Sequence, residues 1–143
     1  MVEENASGSG AVAGGQEVNG TPALTDYVVN PGKRLVTVKF GKKIAARDIK
    51  EYVTALCVDP RFKPDFSEIV DLSEVEELDV HGDELTRLAD EADPFSEHSR
   101  RAFVARSAMQ NHAARLYKIL RANVKFGIFR SVGAAERWIG SGA

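Results

Sequence analysis

The 143-residue sequence contains one cysteine, Cys57, which excludes an internal disulfide. No apolar run approaches the ~18 residues of a membrane-spanning helix, and no apolar signal segment opens the chain. With the lone thiol, these absences imply a reducing, cytoplasmic setting. Cys57 falls late in a helical pattern and is expected as a small buried apolar residue. No glycine-rich phosphate loop is present, because Gly8, Gly10, Gly14 and Gly15 fall in a polar N-terminal tail, not between a strand and a helix. Histidine is scarce: His81, His98 and His112 are spaced too widely for a local metal motif. Neither a metal nor a cofactor is expected. The numerous carboxylates form no recognisable acid/base pair, and Ser73 has no base nearby in sequence, so the chain reads as non-enzymatic.

What is present is one domain's worth of chain, enough to bury roughly 65–70% of its unfolded surface. Its charge is unevenly laid out. Residues 1–99 carry 10 basic and 20 acidic side chains, net −10, while residues 100–143 carry 9 basic and 1 acidic, net +8. The simplest expectation is solvated helix faces of opposite sign. The acidic stretch from Phe66 to Glu97, which includes Glu68 and Asp71, disfavours a nucleic-acid partner and favours a basic one.

Residues 1–22 are rich in Gly, Ala, Ser, Asn and Glu and read as a disordered tail, leaving residues 23–140 as the domain. Strand Ala23–Asn30, the turn Asn30-Pro31-Gly32-Lys33 and strand Arg34–Phe40 predict a β-hairpin. Ile49, Tyr52, Val53 and Leu56 then recur at helical spacing, so Ala45–Val58 reads as an amphipathic helix stopped by Asp59-Pro60. Next come strand Ile69–Leu72, helix Asp83–Glu91 with Asp83 as N-cap, and strand Ala102–Ala105. A helix from Ser107 carries Met109, Ala113, Leu116, Tyr117 and Leu120 on one face. Strand Val124–Phe129 and a short helix capped by Ser131 and ended by Gly140 complete the order. Strands joined through helices predict an α/β domain with a mostly parallel mixed sheet, an antiparallel edge strand and four helices.

The run Asp71-Leu72-Ser73, Val75, then Leu78-Asp79-Val80-His81-Gly82 and Leu85 resembles the STAS-domain pattern. There an apolar strand ends in Asp-Leu-Ser and leads to Asp-Ser-Ser-Gly at a helix start. STAS domains are typified by the anti-sigma factor antagonist SpoIIAA. The blocks Asp93-Pro94-Phe95-Ser96, Arg100-Arg101-Ala102-Phe103-Val104, Ala114–Leu120 and Phe129-Arg130 with Trp138 resemble more closely the SpoIIAA-like, or STAS/SEC14-like, bacterial proteins of unknown function. The resemblance implies a SpoIIAA-like fold and a non-enzymatic regulatory or protein-interaction module. It departs where the antagonists carry their phosphoacceptor, since Val80 and His81 occupy the two serine positions and neither accepts a serine kinase's phosphate.

Two candidate sites follow. The first is the corner formed by Asp79, Val80, His81, Asp83 and Glu84, at the carboxyl end of a strand, where partners and ligands meet α/β sheets. It would dock a protein partner or a second copy of the chain; the competing reading is that Asp79 merely braces the turn and His81 bonds a neighbour. The second is Arg106 and Ser107 at a helix N-terminus, with Tyr117, for a small anionic ligand or a lipid headgroup. Ser107 reads equally as a helix cap. A domain of ~120 ordered residues is expected to have little room for an acyl cavity of several hundred Å³.

Overall fold

The protein is described by a computed structural model over residues 25–90, 93–120 and 125–141. The expected tail lies outside the described residues. Strands β1 (Thr25–Asn30) and β2 (Leu35–Phe40) form the hairpin, with Thr25 opposite Phe40 and Asn30 opposite Leu35. The positive φ of the turn falls on Arg34, at 54°, and not on Gly32. Strand β3 (Lys43–Ala45) runs directly into α1 (Ala46–Cys57), whose first turn is fixed by the Ala45 N–H donating to Asp48 Oδ2 at 2.7 Å.

The chain continues through β4 (Ser67–Asp71), β5 (Glu77–Asp79), α2 (Gly82–Asp90), β6 (Arg100–Val104), α3 (Ala108–Leu120), β7 (Lys125–Phe129) and α4 (Val132–Gly140). The main sheet has the order β1-β2-β4-β6-β7, and every pair after the opening hairpin is parallel. The expected mixed sheet with its antiparallel edge strand and four helices is therefore present. A second, two-stranded parallel sheet pairs β3 with β5, Lys43 opposite Glu77 and Ala45 opposite Asp79. At three residues each, those strands are too short to leave a period in the sequence.

Alternation along the strands sorts side chains onto two faces. Val36, Val38, Phe40, Val70 and Phe103 join the larger core with Tyr52 and Leu56 of α1 and Ala114 of α3. Leu35, Ile69, Ala102 and Val104 join the second with Ala135, Trp138 and Ile139 of α4. Gly127 of β7 is required by close approach on the α4 side: a Cβ there would stand 2.7 Å from the Phe129 ring.

Four expectations need correction. Cys57 is exposed, because the buried stripe of α1 runs through Asp48, Tyr52 and Leu56 and leaves the neighbouring last residue facing out. Strand β6 begins at Arg100, two residues earlier than its apolar residues suggest, and all five of its residues are buried. The basic half of the sequence is thus not simply a solvated face, and within the acidic stretch Glu68 and Asp71 are buried too. Finally, α2 begins at Gly82, which puts Asp83 in its first turn; Glu84 accepts the His81 backbone N–H at 3.0 Å.

Candidate functional site

The first core does not fill its space. Between the sheet and helices α1, α2 and α3 lies a cavity of about 310 Å³. The sheet supplies Phe40, Glu68, Val70, Arg101 and Phe103 to its wall, and α1 supplies Ile49, Tyr52 and Val53. Leu78 and Val80 from β5 and its end, Leu88 from α2, Asp93 and Phe95 from the segment after it, and Ala113, Leu116 and Tyr117 from α3 also line it. Helical spacing explains the α3 contribution, since 113, 116 and 117 lie on one face. The space contradicts the expectation that so small a domain leaves little room; Ala113 and the nine-residue α2 are too small to fill it.

One wall is polar. Glu68 and Arg101 sit opposite each other in the β4–β6 register, both turned to the cavity side by strand alternation. Arg101 is 1% exposed, with Nε 3.6 Å from Glu68 Oε1 and Nη2 donating to Asp93 Oδ1 at 2.5 Å. Its Nη1 donates to the Tyr117 hydroxyl. The guanidinium also lies 4.9 Å from the Phe95 ring centroid and 5.4 Å from that of Tyr117, within cation–π range. Tyr52 donates its hydroxyl proton to Glu68 Oε2 at 2.6 Å.

Burial opposes the Arg101 charge, yet Glu68, Tyr117 and Asp93 outweigh it and hold the guanidinium pKa above its ordinary value. Burial, reinforced by the Glu68 charge, pushes the Tyr52 hydroxyl well up, so it remains a donor. A charge withdrawn from water is tolerable only when its partners are fixed, and those of Arg101 come from three separate parts of the chain.

The residues singled out in the sequence are distributed differently. Val80 lines the cavity, while Asp79, His81 and Asp83 are exposed on its outer side. Asp79 lies 3.5 Å from Lys43 Nζ, across the small sheet, and Asp83 4.0 Å from Arg87. Tyr117 faces the cavity, whereas Arg106 and Ser107 stand at the opposite end of α3, so the three are not brought together.

At that end the polar groups are engaged internally. The Ser107 hydroxyl accepts the Gln110 N–H at 3.1 Å, and Gln110 Oε1 accepts the Arg106 N–H at 2.6 Å. Arg106 Nε donates to the Arg130 carbonyl at 2.9 Å. Among the described residues, no group of His, Cys, Asp and Glu could hold a metal ion, and no helix is long and apolar enough to cross a membrane.

The architecture has a counterpart among solved structures. The chain is similar to an uncharacterized DUF3478-family protein with a SpoIIAA-like fold from Shewanella loihica PV-4, at a TM-score of 0.58 over 86% of this chain and 99% of that one. The fold is SpoIIAA-like. Sequence identity is 16%, so the likeness carries architecture alone. No family model matches the sequence, and no curated protein matches it. In this SpoIIAA-like domain, sequence reasoning found Tyr117 and Val80 but missed Tyr52, Glu68, Asp93 and Arg101 as a cluster. The available signal was an Arg-Arg pair opening an apolar strand run, where alternation sends one arginine to each face.

Proposed function

We propose that this SpoIIAA-like domain is a non-enzymatic binding module that takes a small molecule with an apolar body into the cavity beneath α1, α2 and α3. The observation that carries the reading is an apolar space of about 310 Å³ with a fixed polar cluster on one wall. That is near the lower end of ligand pockets and about twice a cavity that accepts benzene. Interiors normally close such space, because unfilled volume forfeits contact energy. An occupant of roughly 10–15 non-hydrogen atoms fits the volume, which favours a short-chain or single-ring molecule over a two-tailed lipid.

The test is native mass spectrometry of the full chain taken gently from its own cells, beside Ala113→Phe. The unsubstituted protein should carry a stoichiometric extra mass that the variant, with its cavity occupied by the new ring, lacks. An extra mass retained by the folded variant, or none on either protein, would sink the reading.

A second reading keeps Asp79, Val80, His81, Asp83 and Glu84 as a docking corner for a protein partner or a second copy of the chain. It is supported by the exposure of Asp79, His81 and Asp83 directly beside Val80 at the cavity. His81→Ala combined with Asp83→Ala should weaken a partner complex in a pull-down while leaving a cavity-bound mass in place.

A further inference from the structure

The polar wall also restricts the chemistry of the occupant. Glu68, Asp93 and Arg101 bring two carboxylates and one guanidinium together, a formal charge of −1. The guanidinium lies behind its partners. Nη1 and Nη2 each donate one hydrogen bond, to Tyr117 and Asp93, while Nε makes none, is sealed from solvent and faces Glu68 at 3.6 Å; aromatic rings lie 4.9 and 5.4 Å away. With Arg101 only 1% exposed, an entering carboxylate or phosphate meets its acidic partners first. The Asp93 side chain, by contrast, is 19% exposed, and carboxylates accept hydrogen bonds without being able to donate them.

Resting on the reading of the cavity as a ligand site, we infer that its occupant is an amphipathic amine, with the apolar body against Val53, Val70 and Leu116 and a cationic, hydrogen-bond-donating head at Glu68 and Asp93. A charge-assisted bond from an ammonium to a carboxylate is about twice as strong as a neutral one. An anionic head in the same position would add like charge to a buried site and be desolvated without compensation. Among the described residues, Lys50 is the one other cation on the lining, and it is exposed on α1. An acid could reach it only with its head at the surface, in water, where such a pair contributes little.

Three probes with the same carbon count separate these cases: decylamine, decanol and decanoic acid, titrated calorimetrically into the full chain at neutral pH. Decylamine should bind tightest and decanoic acid at least about tenfold more weakly, a difference of ~1.4 kcal/mol. Asp93→Asn should bring the amine and the acid closer together while leaving decanol little changed. An acid that binds as tightly as the amine overturns the inference and leaves the cavity reading intact. So does an amine preference that survives Asp93→Asn. If none of the three binds, the cavity reading itself falls and takes this inference with it. The three-probe order on the unsubstituted protein decides the matter even where the variant does not fold.

Discussion

The two faces of the main sheet were built from the same strands, yet they solve different problems. Toward α4, Leu35, Ile69, Ala102 and Val104 close directly on Ala135, with the Phe129 and Trp138 rings tilted by 41° at 5.4 Å, and even a methyl group at Gly127 would collide. Toward α1, α2 and α3 the same strands leave about 310 Å³ open and turn Glu68 and Arg101 inward. The first face is closely packed, as folding alone favours, with Arg100 hydrogen-bonded to the end of α4. The second combines unfilled volume with buried charge, neither of which folding rewards, and that combination is why the candidate site is assigned there.

Adjacent arginines give the largest test of this contrast. Arg101→Ala would strand the Glu68 carboxylate in the interior and should lower the unfolding free energy by about 3–5 kcal/mol in a urea titration. Arg100, on the α4 face, donates to the Trp138 carbonyl at 2.8 Å and the Ser141 hydroxyl at 3.1 Å. Arg100→Ala should cost about 1.5–3 kcal/mol, the range of hydrogen bonds to a charged group. Equal losses would remove the distinction between the faces.

Enlarging one small residue on each face should give opposite signs. Ala102→Leu, at a fully buried position in the α4 core, should destabilise by about 1–3 kcal/mol through overpacking. Ala113→Phe, which places its ring in the cavity, should stabilise by about 0.5–2 kcal/mol. Thermal unfolding of the two variants checks both, and a loss in each would mean the space is not available to a side chain.

The smallest effect concerns the side wall of the cavity face. Tyr27 of β1 lies 5.7 Å from the Tyr52 ring and donates its hydroxyl to Asp59 at 3.0 Å, while Arg61 pairs with the same carboxylate at 2.7 Å. The Arg61 hydrogen bond is the main reason that the Asp59 pKa falls to about 2, although burial opposes it. Since the folded value lies below the unfolded one, ~3.9, the contribution to stability is full above pH ~4 and is lost as pH falls toward 2. Tyr27 is pushed the other way, to about 12, mainly by burial and then by Asp59. Its contribution is full below pH ~10 and is lost as pH rises through the folded value. Asp59→Asn should flatten the acid limb of a stability profile, and an unchanged limb would show that the trio does not brace this wall.

Much of the architecture was legible in the chain. The hairpin alternation of residues 25–40, the helical stripe of Tyr52 and Leu56 and the Ser131 cap each rest on neighbours a few residues apart. Strands β3 and β5 were not legible, since Lys43–Ala45 and Glu77–Asp79 acquire their conformation only from each other. The polar cluster was hidden for a related reason. Glu68 and Arg101 are 33 positions apart and meet only through the register of two parallel strands, which no local pattern fixes. Read singly, each is a charged residue expected at the surface. Tyr117 was accessible because Ala113 and Leu116 announce its helical face, but its partner is on another element.

The small β3–β5 sheet has a mechanical consequence. Because β3 runs straight into α1 and β5 ends two residues before α2, the two helices are joined at their N-termini like the arms of tongs, by a ladder whose strands sit about 4.8 Å apart. Those ends cannot spread without breaking the ladder. The span between the two arms beside Ile44 and Leu78 is therefore fixed by backbone pairing and not by side-chain packing alone.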